Sequence, residues 1–226
     1  MTSMDRVFVP LAAGPYSWFA DGSKTWELRR RGGGWGPGVV RGGRRVELRR
    51  GYRDRNSSLW GTIREVLTAP SIEAFFGLVP YGQVIPVAQS HNDAVERAAA
   101  ILGIDPHTAE VIGFRVELDP VDHVVELPGA DDYRAVILNG RKRATVRRGH
   151  RDLPVGPARF VFSHGEPIPI LIERITHLTV ADLDDRTART DGFTDRDELL
   201  SALRTHYPDL SDTDPATVVY LGRLDT

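Results

Sequence analysis

"DGSKTWELRRR" (residues 21–31) and "NGRKRATVRRG" (residues 139–149) decide how this chain is read, because they say nearly the same thing twice. Gly22, Lys24, Arg29 and Arg30 recur at one constant separation as Gly140, Lys142, Arg147 and Arg148. Lys24 and Lys142 are also the only two lysines; every other permanently charged cation is an arginine. Two ammonium groups kept at matching places in so arginine-rich a chain point to a task that a guanidinium cannot perform. Arginine stays charged, whereas a lysine sheds its proton when its surroundings disfavour charge.

The likeness extends beyond the two phrases. "LWGTIREVLTA" (59–69) and "IPILIERITHLTV" (168–180) both read as strands rich in β-branched residues. "SHNDAVERAAAILG" (90–103) opens a helix with Ser90 as N-cap and Asp93 three residues on, and "TDRDELLSALRTHY" (194–207) repeats this with Thr194 and Asp197. Leu199, Leu200 and Leu203 make the apolar stripe of the second helix, and Ala94, Val95, Ala98 and Leu102 that of the first. Each helix leads into a strand, "AEVIGFRVEL" (109–118) or "ATVVYLGRL" (216–224). Two α+β domains of mixed sheet are therefore expected: residues 1–119, a linker over 120–131, and residues 132–226.

Composition narrows the function. Of the 226 residues, 41% are hydrophobic and 27% charged, the ordinary balance of a soluble globular protein. No apolar run spans a bilayer and "MTSMDRVFVPL" lacks a signal-peptide core, so a cytoplasmic protein away from membranes is expected. The absence of cysteine excludes disulfides, thiolate metal sites and a cysteine nucleophile. His91 with Asp93, His150 with Asp152 and His164 with Glu166 have no zinc spacing, and "GGGWGPG" (32–38) is neither a Walker nor a Rossmann loop. Neither a metal nor a nucleotide cofactor is expected.

The net charge of −2 conceals segregation. Arg41, Arg44, Arg45, Arg49, Arg50, Arg53 and Arg55 crowd residues 41–55 against Glu47 and Asp54 alone. With Trp35 in the preceding glycine-rich loop, expected to be exposed, they form a candidate nucleic-acid surface on Arg41, Arg44, Arg45, Arg49, Arg50 and Trp35. Trp18, Trp26 and Trp60, also in the first half, are candidates for its core.

"GSKTWELR" (22–29) and "GRKRATVR" (140–147) resemble the Gly-x-Lys-x-x-(Glu/Thr)-x-Arg signature of the ASCH family, and "DGFTDRDELLSALRTHYP" (191–208) with "TVVYL" (217–221) is similar to its closing helix and strand. The resemblance covers most of the second half and, more loosely, the first. It implies two tandem PUA-like domains, each a small β-barrel flanked by helices, and RNA or a modified nucleoside as partner. One branch of the family resembles amidohydrolases that deacylate N4-acetylcytidine through lysine, threonine and glutamate. On that resemblance Lys142 and Thr145 match, and Asp191 falls where the glutamate stands, one methylene shorter, which puts its reach in question.

Strand alternation places Trp26 and Leu28 on one face and Glu27 and Arg29 on the other; likewise Ala144 and Val146 oppose Thr145 and Arg147. The candidate ligand contacts are thus Lys24, Glu27, Arg29, Arg147 and Arg148, and the candidate catalytic set is Lys142, Thr145 and Asp191. The first copy lacks that set: Glu27 replaces the threonine, and aligning the helix caps puts Val87 in place of the acid. A ligand-binding protein for RNA or a modified nucleoside is the leading expectation, and an amidohydrolase in the second domain is the alternative.

Overall fold

The computed structural model describes residues 6–52, 58–120 and 124–222. The chain forms two compact units, Arg6–Val121 and Asp122–Thr226. In the first unit the order is β1 (Arg6–Leu11), α1 (Ala13–Ala20), β2 (Trp26–Arg30), β3 (Arg45–Arg50), β4 (Ser58–Ala69), α2 (Ile72–Phe76), α3 (His91–Leu102) and β5 (Val111–Leu118). The second unit repeats it as β6 (Val125–Pro128), α4 (Arg134–Leu138), β7 (Ala144–Arg148), β8 (Gly156–Val161), β9 (Ile168–Thr179), α5 (Asp185–Asp191), α6 (Arg196–His206) and β10 (Pro215–Gly222).

Both sheets have five strands in the same order, β1-β3-β4-β5-β2 and β6-β8-β9-β10-β7. The first strand of each pairs in parallel with the third, and all other pairs are antiparallel. Even the irregularity repeats: the ladder skips Arg64 in β4 and Glu173 in β9, bending both long strands. The fold is α+β, two curled half-barrel sheets with helices against them.

Two expectations are corrected. The stretch 120–131 is not all linker, because β6 within it pairs with β8 and supplies the edge of the second sheet. The α6 N-cap is Asp195 rather than Thr194; its carboxylate accepts the Glu198 N–H at 2.9 Å. Asp185 of α5 also takes the Arg196 N–H at the start of the helix, at 3.0 Å. Ser90 caps α3 as expected, accepting from the Asp93 N–H at 3.2 Å.

Alternation along β2 and β7 splits each unit into two apolar clusters. Trp26 and Leu28 pack with Ile72, Phe75, Ala94 and Val95 of the helices, and Ala144 and Val146 pack with Leu199, Leu200 and Leu203. Val9, Leu48, Ile63 and Phe114 belong to the other cluster of the first unit, and Phe160, Ile170, Ile172 and Val219 to that of the second. Residues 27, 29, 145 and 147 thereby alternate with those helix-packed residues, and in the second unit the cavity is walled by both sets.

Candidate active site

Local chemistry sets Lys142 in place. After α4, Gly140 turns the chain at φ 75°, and the Asn139 side chain accepts the Arg141 N–H at 3.0 Å. The Lys142 N–H then donates to the Val136 carbonyl at 2.9 Å and the Arg143 N–H to the Thr190 carbonyl at 2.7 Å. Lys142 is thus held between the ends of α4 and α5. Asp184 caps the start of α5 through the Thr187 N–H at 2.7 Å, and Gly192 ends it at φ 100°.

Asp191, the last residue of α5, meets β7 along its open edge. One carboxylate oxygen accepts from Lys142 Nζ, and the other takes the Val146 N–H at 2.8 Å, a donor the sheet leaves unused. Lys142 Nζ also donates to the Asp191 backbone carbonyl at 3.0 Å. The aspartate therefore reaches its partner, because the helix end itself is drawn against the strand. Lys142, Thr145 and Asp191 are all buried.

The three line one cavity of about 290 Å³, together with Arg147. Its aromatic walls include Tyr133 and Phe193, which meet edge to face at 6.0 Å. Lys142 Nζ lies 4.7 Å from the Tyr133 ring centre and 5.7 Å from that of Phe193. The Thr145 hydroxyl makes no hydrogen bond among the described residues. Burial pushes the Lys142 ammonium down to about 7, and the Arg147 guanidinium pushes the same way. The adjoining Asp191 carboxylate acts in the opposite sense, holding the proton on. Arg147 is lowered too, chiefly by burial, and Tyr133 is raised, again chiefly by burial. Tyr133, Phe193, His206 and Tyr207 line the cavity without having been singled out from sequence. Only Phe193 carried a signal, as the residue after "TDG".

No family model matches the chain, and no curated protein does. Among solved structures it is similar to the hypothetical protein PH0355, at 12% identity and a TM-score of 0.42 over 50% of this chain and 99% of that one. It is also similar to an ASCH domain from Lactobacillus crispatus JV V101, at 18% identity and a TM-score of 0.34, covering 43% of this chain and 78% of that one. A third is a mutant form of the ZmASCH protein from Zymomonas mobilis, at 15% identity and a TM-score of 0.36 over 52% of this chain and 70% of that one. The two units share one strand order with each other.

The first unit keeps the scaffold and changes the chemistry. Gly22 turns at φ 78°, the Lys24 N–H donates to the Trp18 carbonyl at 2.8 Å, and the Thr25 N–H to the Gln83 carbonyl at 3.0 Å. Lys24 Nζ donates to the Val84 carbonyl at 2.7 Å, so Val84, not Val87, stands where the second unit has Asp191. Burial pulls the Lys24 ammonium down, opposed by Glu27 at 3.4 Å. Arg29 Nε lies 2.8 Å from Glu27 and Nη2 donates to the Pro10 carbonyl at 2.8 Å.

Trp35 is not exposed. It is half-buried, stacked 6.2 Å from the Phe114 ring and 4.8 Å beneath the Arg29 guanidinium, because the glycine-rich loop folds back on its own sheet. Trp26 and Trp60 are buried, and Trp18 is half-buried.

The arginine run is largely used up internally. Arg49 is buried, its Nε 2.9 Å from Glu47, and Arg45 donates to Asp119 at 2.7 Å. Arg44 donates to the Val39 carbonyl at 2.6 Å. Arg41 and Arg50 are exposed; Arg53 and Arg55 lie outside the described residues. Alternation on β3 explains part of this, since Glu47 and Arg49 share one face. Arg148 is not among the cavity walls; it pairs with Asp209 at 2.7 Å and Asp214 at 2.8 Å. Among the described residues, no helix is long and apolar enough to cross a membrane.

Proposed function

We propose that the second unit is an amidohydrolase site for an N4-acylated cytosine compound, a modified nucleoside, with Lys142, Thr145 and Asp191 as its working groups. The observation that carries this reading is their convergence on one cavity, with Lys142 brought to about 7 and the Thr145 hydroxyl free of partners. A threonine hydroxyl is a weak nucleophile until a neighbouring base takes its proton. The deprotonated form of Lys142, made accessible by burial, is that base. Thr145 Oγ1 adds to the amide carbonyl carbon while its proton passes to Lys142. The C–N bond then breaks, the leaving amine takes that proton, and an acyl ester remains on Thr145. Lys142 then takes a proton from water as its oxygen adds to the ester carbon, the C–O bond to Thr145 breaks, Thr145 Oγ1 receives that proton, and a carboxylic acid leaves. Asp191 orients the lysine through both its side chain and its carbonyl. The first unit, with Glu27 and Val84 at the corresponding places, has no such chemistry and serves as scaffold.

RNA binding is the second reading. It rests on Arg41 and Arg50, the exposed members of a run whose other described arginines bond within the unit.

The test is hydrolysis of N4-acetylcytidine, followed as release of cytidine. Thr145→Ala and Lys142→Ala each abolish it with unchanged circular dichroism. Lys142→Arg is as damaging, because a guanidinium holds its charge and is no base at neutral pH. Full activity in Lys142→Arg refutes the reading.

A further inference from the structure

The two units differ at one place in a way that bears on what the second cavity holds. In the first, the Glu27 carboxylate lies between two cations, 2.8 Å from Arg29 Nε and 3.4 Å from Lys24 Nζ. Arg29 is tied at the same time to the Pro10 carbonyl. In the second unit Arg147 keeps the equivalent bond, to the Pro128 carbonyl, and Lys142 keeps its seat after the glycine turn. Both side chains remain where the first unit has them, yet the carboxylate has moved: Asp191 takes Lys142 from the helix side, and among the described residues nothing replaces Glu27 beside Arg147. The shorter Thr145 stands at the Glu27 position, and the cavity opens there.

Among the described residues Arg147 has no carboxylate within ion-pair distance, although it is half-buried and lines the cavity. A guanidinium held partly out of water without a counter-charge is costly, and its N–H groups favour the planar pair of oxygens of a carboxylate. We infer that the space beside Arg147, opened where Thr145 replaces the glutamate, is a carboxylate subsite that receives the oxygens of the ligand's acyl group. Glu27 displays the occupied form, with the carboxylate supplied by the chain itself.

This inference rests on the second cavity being the functional site and deepens the proposed reaction. The amide carbonyl oxygen sits at Arg147 and becomes the oxyanion when Thr145 Oγ1 adds to the carbon. Arg147 stabilises that charge through its N–H groups and exchanges no proton. Collapse of the oxyanion breaks the C–N bond, and after ester hydrolysis both oxygens of the released carboxylate occupy the subsite. The acyl end therefore points toward Arg147.

Sodium acetate is the probe, with neutral acetamide as control at fixed ionic strength, read by thermal unfolding of the full chain and by inhibition of N4-acetylcytidine hydrolysis. Acetate, and not acetamide, is expected to raise the unfolding midpoint of the second unit and to compete with substrate. Arg147→Gln weakens acetate by roughly tenfold or more, the loss of charge-assisted hydrogen bonds. Thr145→Glu copies the first unit: the midpoint rises without acetate and the acetate response disappears, which decides the matter even if Arg147→Gln folds poorly. Acetate without effect on the wild type, or acting equally on both variants, overturns the inference. Acetate binding without amide hydrolysis removes the proposed reaction and leaves the subsite standing. Hydrolysis that acetate does not inhibit and Arg147→Gln does not slow removes the subsite and leaves the reaction.

Discussion

Lys142 ties the stability of the second unit to pH, and the size of the effect follows from its burial. Its ordinary value is 10.5 and the folded unit brings it to about 7. Between those values the lysine is charged when unfolded and largely neutral when folded, so unfolding takes up a proton and rising pH opposes it. Stability therefore increases with pH across this window, by at most about 1.36 kcal/mol per pH unit. From pH 7 to 10 that amounts to about 4 kcal/mol as a ceiling, because the pull of Asp191 on the proton works against burial. The comparison protein is Lys142→Met with Asp191→Asn, which removes both charges and keeps an acceptor for the Val146 N–H. Lys24, lowered in the same direction, is present in both proteins and cancels in the difference. Urea unfolding at several pH values provides the assay. All four tryptophans lie in the first unit, so their fluorescence follows that unit alone, while far-UV circular dichroism follows both. The wild type is expected to gain stability over the double variant as pH rises. A difference that stays flat, or shrinks with pH, refutes the depressed lysine and with it the base assigned to the reaction.

Glu47→Ala leaves the buried Arg49 and the Arg6 side chain without the carboxylate they share, and is expected to cost about 3–5 kcal/mol in urea unfolding followed by tryptophan fluorescence. Gly192→Ala forces an L-residue to φ 100° and is expected to cost about 1–2 kcal/mol in thermal unfolding. Its Cβ would meet Lys142 Cβ at an ordinary 3.5 Å, so the loss is one of backbone conformation rather than crowding. Asp191→Glu lengthens a side chain that already reaches both Lys142 and the Val146 N–H, and is expected to lower kcat/KM for N4-acetylcytidine rather than raise it.

The parts of the fold legible in the sequence are those governed by near neighbours. Gly22 and Gly140 announced equivalent turns because a positive φ is cheap only for glycine, and the lysines beside them marked the repeat. The polar faces of β2 and β7 followed from period-two alternation, and the helices from caps and apolar stripes. The start of α6 was read one residue early, at Thr194, because Asp195 beside it is an equally good cap residue and is the one that accepts the Glu198 N–H. Strand β6 was misplaced for a related reason, since four residues gain strand character only by lying beside β8.

Charge shows the boundary most plainly. A run of arginines reads as a basic surface when its neighbours in space are unknown, yet Asp119, distant in sequence, pairs with Arg45. Glu47 binds Arg49 two residues along the same strand and Arg6 from the strand beside it. Trp35 likewise reads as exposed among glycines until Phe114 and Arg29 close around it.

By itself, then, the sequence determined the duplication, the α+β unit and the two lysine-bearing turns, because turn geometry, alternation and capping act within a few residues. Only the tertiary structure decided that Asp191 reaches Lys142, that Val84 stands in for it in the first unit, and that Arg147 has lost the carboxylate that Arg29 retains. Those facts depend on which side chains long-range packing brings together and which charges it removes from water, and a linear pattern carries neither.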